Sequence, residues 1–178
     1  MPRVLILFAH PAYHRSRANR ALVEAVRELE GVTFHDLYEA YPDLMVDVPR
    51  EQKLLESHDV VVFQHPFYWY SAPALVKEWL DLVLTHGWAY GEGGTALAGK
   101  SWLVAITSGG SESSYAAAGG NRWTVGEFLR PFEATAQLCN MRWRPPFVFH
   151  QSHLATAVEL VDAAARYQAR ILALQRGE

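Results

Sequence analysis

One cysteine stands in 178 residues, at Cys139. A lone thiol forms no internal disulfide, and Leu138-Cys139-Asn140 sets no cation or base beside it, so it reads as a small apolar filler. No run of lysine and arginine occurs and the formal net charge is −3. That excludes a sequence-independent grip on nucleic acid, which needs clustered cations to displace counterions. The charge is also too mild for an acidic electron carrier that docks on basic partners. No apolar stretch reaches the roughly 18 to 20 residues of a membrane helix, and the opening run Val4 to Ala9 is too short for a secretory signal; a cytoplasmic location is expected. Neither G-x-G-x-x-G nor G-x-x-x-x-G-K-[ST] follows the first strand, which leaves out a dinucleotide fingerprint and a triphosphate loop. With no repeat, low-complexity segment or linker, residues 1–178 read as one domain.

Half of the residues are hydrophobic and a fifth are charged, the balance of an ordinary globular chain. Val4 to Ala9 is continuously apolar and stops at His10-Pro11, as a strand buried on both faces does. Ser16 then caps a helix carrying Ala18, Leu22, Val23, Val26 and Leu29, halted by Gly31. Further strands are expected at Val32 to Leu37, Asp59 to Gln64, Ser101 to Thr107 and Met141 to His150, the last interrupted by Pro145-Pro146. Further helices are expected near Pro49 to Ser57, from Pro73 toward Gly87, from Trp123 or Thr124 to Leu138, and over Ala155 to Leu174. Parallel strands need crossovers, and both sheet faces must be covered. The pattern therefore predicts an α/β sandwich of three layers, with a five-stranded parallel sheet of order 2-1-3-4-5 and helices on both faces.

In such sheets ligands sit at the carboxyl ends of the strands, near the point where strand order reverses. Three loops meet that description. The first, His10 to Asn19, delivers Ser16 to a helix N-terminus, where unpaired amides and the dipole favour a phosphate; His10, Arg17, Ala18 and Asn19 stand around it. An ordinary helix cap and a satisfied core histidine would read the same way. The second loop places Phe67, Tyr68, Trp69 and Tyr70 just past a buried strand and Pro66. Four successive aromatics cannot all point inward from a short turn, so some line a crevice fit for a flat heteroaromatic ring, with Trp69 the first candidate for its wall. The third, Thr107-Ser108-Gly109-Gly110, offers hydroxyls and unhindered amides, and Tyr115 follows in an exposed loop. His150-x-x-His153 invites a metal, but on a strand end the two would not share a face and no Cys or carboxylate partner is near, so no metal is expected.

Together these segments resemble the NAD(P)H:quinone oxidoreductases of the flavodoxin-like superfamily, and most closely the ancillary flavoproteins of glutathione-regulated potassium efflux systems. The resemblance rests on Ala9-His10-Pro11 with Ser16 and Asn19, and on Gln64-His65-Pro66 through Trp69-Tyr70-Ser71-Ala72-Pro73 with Lys77 and Trp79. It continues through Gly87-Trp88-Ala89-Tyr90-Gly91, Gly93 to Lys100, Thr107 with Gly109-Gly110, and Pro145-Pro146-Phe147. It implies that His10 and Ser16 to Asn19 hold the phosphate region of a flavin, that Phe67 to Tyr70 contact its ring, and that Thr107 to Gly110 hold its polar edge. Tyr115 matches a tyrosine that faces the substrate in the animal enzymes, whereas the histidine six residues on is here Asn121.

The implied reaction is a two-electron, ping-pong transfer of hydride from NADPH or NADH, through bound FMN or alternatively FAD, to a quinone. The implied assembly is a homodimer, with Gly91 to Lys100 reaching across. The other reading the resemblance implies is a regulatory flavoprotein that binds and activates a membrane potassium efflux antiporter.

Overall fold

The computed structural model describes all residues from Met1 to Glu178. In chain order it has β1 (Val4–Phe8), α1 (Arg17–Val26), β2 (Val32–Asp36), α2 (Leu37–Ala40), α3 (Val48–Glu56), β3 (Val60–Pro66), α4 (Ala74–Val83), β4 (Ser101–Thr107), α5 (Val125–Phe128), α6 (Arg130–Leu138), β5 (Arg142–Trp143), β6 (Phe147–Phe149) and α7 (Ala157–Gln175). The sheet runs β2-β1-β3-β4-β5 with every pairing parallel, and β6 also pairs with β4. This is the flavodoxin-like arrangement expected from the sequence.

Alternation along the strands builds two cores from one sheet. Leu5, Leu7, Val61, Phe63, Trp102, Val104 and Ile106 face the layer of α2 to α6, where they meet Leu37, Leu55, Leu75, Trp79, Leu129 and Phe132. Val4, Ile6, Val60, Val62, Leu103 and Ala105 face α1 and α7, against Leu22, Val26, Ala163, Tyr167 and Ile171. Leu75, Val76, Trp79 and Val83 recur at helical spacing on α4, and this one apolar stripe faces the sheet.

The structure corrects the expected elements in two places. The expected helix to Leu138 is two, because Pro131 cannot donate to the backbone ladder and the chain turns at Leu129 between α5 and α6. The expected fifth strand is also two pieces: β5 pairs with Ser101 and Trp102, and past the Pro145-Pro146 break β6 pairs with Ala105 to Thr107. Two ends also differ. α1 closes at Val26, five residues short of Gly31, and α4 closes at Val83, short of Gly87.

Under the α3–α4 side lies a buried carboxylate. Glu51 accepts from Tyr41 Oη–H (2.6 Å) and Trp79 Nε1–H (2.8 Å) and pairs with His35 Nε2 (2.8 Å). Burial alone would raise its pKa; the hydrogen bonds of His35 and Tyr41 outweigh this and leave the group below the ordinary carboxylate range.

Candidate functional site

At the carboxyl ends of β1, β3 and β4 a cleft of about 550 Å³ opens between α1, the loop after β3 and the turn after β6, inside the roughly 300–1,000 Å³ span of small-molecule sites. Its lining includes His10, Ser16, Arg17, Ala18, Pro66, Phe67, Tyr68, Thr107 and Gly109. Three loops far apart in sequence thus meet, because parallel strands end at the same edge.

The polar end is built on the start of α1. Ser16 Oγ accepts from the Asn19 amide (3.2 Å), while Arg20 N–H reaches Ser16 O. The amides of Arg17 and Ala18 thereby remain without intrahelical acceptors, at the positive end of the helix dipole. Arg15 and Arg17 add guanidinium groups and no carboxylate lines the cleft. His10 Nδ1 accepts from Ala12 N–H (3.0 Å), which leaves Nε2 as the donor. Burial holds the His10 pKa below the ordinary histidine value, so the ring is neutral near pH 7.

The aromatic end is a tight turn. Phe67 N–H donates to Thr107 O (2.8 Å), and Ser71 N–H closes back on Tyr68 O (2.9 Å). The two residues between, Trp69 and Tyr70, have φ of 49° and 62°, a left-handed pair that hairpin turns usually give to Asn and Gly. Such backbone costs of the order of 1–3 kcal/mol per residue and persists where neighbours over-determine it. Here Tyr70 stacks on Phe128 (centroids 4.8 Å, 22°) and its hydroxyl donates to Asn121 Oδ1 (3.3 Å). Trp69 is 93% exposed and does not line the cleft wall; it stands at the rim.

Tyr115 packs edge-on against Phe67 and beside His150, at 5.8 and 5.7 Å between ring centroids. Burial raises its pKa, with Tyr70 adding to the rise. Gly110 makes that packing possible, since a Cβ there would fall 2.7 Å from Ser114 Oγ and 2.8 Å from the Tyr115 ring. Asn121 holds Tyr70 and Ser114 rather than Tyr115.

The cleft leaves out several residues singled out from the sequence. Asn19 and Ser108 are buried behind it, while Trp69, Tyr70, Gly110 and Tyr115 flank it. It adds Ala12, Arg15, Ser152 and His153. The last two follow β6, which pairs with the carboxyl end of β4, so the strand-end rule applied to the final strand was the signal that could have found them. His150 is engaged by Ser108 Oγ (3.0 Å), and no group of three or more His, Cys, Asp or Glu side chains could hold a metal ion. No helix is long and apolar enough to cross a membrane.

A family model described as the flavodoxin-like fold matches residues 2–171. The glutathione-regulated potassium-efflux system ancillary protein KefG of Pectobacterium atrosepticum is 52% identical over 149 residues, covering 84% of this chain and 81% of that protein. Three solved structures are also similar. The general stress protein 14 of Treponema denticola in complex with FMN has a TM-score of 0.93 at 45% identity, covering 97% of this chain and 99% of that one. A structure described as a thermophilic tryptophan halogenase from S. violaceusniger has 0.92 at 46%, covering 94% and 98%. An NADPH-quinone reductase from P. pentosaceus has 0.86 at 32%, covering 93% and 95%. With this span of matched residues and this sheet order, the chain belongs to the flavodoxin-like fold family, close to the ancillary proteins of potassium efflux systems.

Proposed function

We propose that the protein holds FMN in this cleft and uses it as an NAD(P)H:quinone oxidoreductase. The observation that carries the reading is the division of one cleft into a cationic helix start and an aromatic rim. Arg15, Arg17, Ser16 Oγ and the free amides of Arg17 and Ala18 suit a phosphate monoester, whereas Phe67, Tyr68 and the raised turn suit a flat ring. The similar structure solved with FMN supports it. FMN, when bound, supplies the hydride chemistry between a nicotinamide donor, NADPH or NADH, and a quinone.

The chain's residues then have separable tasks. The α1 start fixes the charged end, Thr107, Gly109 and Gly110 offer polar groups to the ring's edge while Ser108 is held behind them by Phe149 O and His150, and Trp69 shields the open side. Tyr115, whose raised pKa keeps it a neutral phenol, is the candidate catalytic residue. Its hydroxyl can donate a hydrogen bond to charge that develops at the substrate. A homodimer, with Gly91 to Lys100 reaching the partner, would complete the cleft.

A second reading follows from the potassium-efflux relative: the protein binds and regulates a membrane antiporter, and the flavin serves signalling. Releasing the small molecule by heat, weighing it, and assaying NADPH and NADH oxidation with several quinones tests both. A released FMN with quinone-dependent turnover is expected. FMN without turnover would favour the regulatory reading, and a protein that never takes up FMN would end both.

A further inference from the structure

Asn19 is 1% exposed and sits behind the cleft wall, yet it joins two residues that line it. Its Nδ2 donates to Ser16 Oγ (3.1 Å) and to Thr107 Oγ1 (3.0 Å), and its backbone amide donates to Ser16 Oγ as well. Ser16 comes from the start of α1 and Thr107 from the end of β4, so one carboxamide ties two walls together. Its Oδ1 has no partner.

The direction of these bonds decides what the cleft offers. A hydroxyl has one hydrogen and two lone pairs. Ser16 Oγ accepts twice from Asn19, so only its hydrogen is left, and that hydrogen cannot point back at an NH2 group. Thr107 Oγ1 accepts from the same NH2 group, and its hydrogen is likewise turned away. The opposite orientation of the carboxamide would leave two buried N–H donors for one buried oxygen, and stranded donors are the rarer fault in folded proteins.

We propose that Asn19 is a positioning residue that sets Ser16 and Thr107 as outward donors, so that the cleft is polarised for an anion at one hydroxyl and a carbonyl or ring acceptor at the other. This rests on the reading of the α1 start as a phosphate site. It extends that reading to a residue without surface in the cleft.

FMN and riboflavin are titrated into the flavin-free protein and followed by flavin fluorescence, for the wild type, N19D, N19A and the double variant S16A/T107V. Asp at 19 places an oxygen where Nδ2 is, so both hydroxyls would turn back to it. The expected loss in FMN affinity is about ten- to hundredfold, the scale of a lost hydrogen bond to a charged group, and riboflavin should lose less because it has no phosphate. In S16A/T107V the substitution N19A should cost less than threefold more. If N19A and N19D bind FMN as the wild type does, or if their loss is undiminished in S16A/T107V, the proposal fails. Should a variant not fold, or the wild type bind neither flavin and so refute the phosphate reading, the wild-type side-chain amide NMR signals still decide the geometry. Asn19 Nδ2 hydrogens should exchange slowly and shift in S16A and in T107V. Exchange as fast as that of exposed Asn140 would overturn it.

Discussion

Two buried polar assemblies in this molecule have opposite characters. Around Glu51 each carboxylate oxygen meets a donor, from His35, Tyr41 or Trp79. Around Asn19 an oxygen is stranded, and the hydroxyl hydrogens of Ser16 and Thr107 are, as proposed above, left for a ligand. The first is complete within the chain and serves the fold; on that proposal, the second is completed by a group bound in the cleft. A stranded polar atom points to a prepared site only where it is tied to residues that line the cleft, since Gln64 Nε2, His65 Nε2 and Trp102 Nε1 also lack partners away from that lining.

The largest effect that can test this contrast is on the Glu51 side. E51Q turns one acceptor into a donor among three donors and should cost about 3 kcal/mol or more, a fall of about 6–12 °C in melting temperature for a chain of this size. FMN affinity in the protein that remains folded should be unchanged. The lowered Glu51 pKa also signs the pH dependence: its contribution is whole above the unfolded carboxylate value and is lost as pH falls through the folded one. E51Q should therefore flatten the acid limb of a stability curve read by urea melts.

His65 sharpens the contrast, since it too strands an atom, Nε2, but beneath Phe132 and away from the cleft lining. Burial pulls its pKa down to about 4. A histidine so depressed stabilises the fold fully above about pH 6.5 and loses that contribution as pH falls toward the folded value, with a slope of up to about 1.4 kcal/mol per pH unit. H65N should make the slope between pH 6.5 and 4 shallower, with the remainder left to His10, His58 and His150, whose pKa values burial also lowers. If H65N left the slope unchanged, the assignment to His65 would be wrong.

Ser16 belongs to the incomplete side. S16A should cost only about 1 kcal/mol as a lost helix cap while weakening FMN about tenfold or more, so a stability loss without an affinity loss would contradict the phosphate reading. The smallest effect is at the rim. W69N gives a left-handed position a residue that tolerates it and should stabilise by up to about 1 kcal/mol in thermal melts; clear destabilisation would show that the exposed indole packs where its solvent exposure says it does not.

Much of this was legible in the chain. The buried strands Val4–Phe8 and Ser101–Thr107 announced themselves as apolar runs because both faces of a parallel sheet are covered, and Ser16 announced α1 by capping chemistry. What stayed hidden depended on distance in sequence. Nothing near Glu51 in the sequence shows that His35 and Trp79 will reach it. Trp69 looked like a wall because four successive aromatics cannot all turn inward, but the left-handed turn at Trp69 and Tyr70 leaves its indole in solvent. Ser152 and His153 lie just past the end expected for the last strand, but its two prolines hid that the final piece pairs with the carboxyl end of β4.

The loops of the cleft share one anchor. Asn19 reaches Thr107, Phe67 N–H reaches Thr107 O, and Ser108 N–H reaches Phe149 O, so the end of β4 acts as a single fixed post. A visitor finds the walls already standing and little ordering entropy is spent on arrival. If the cleft takes FMN as proposed, capture would be governed by diffusion and charge, and choice among nucleotides chiefly by how long each one stays.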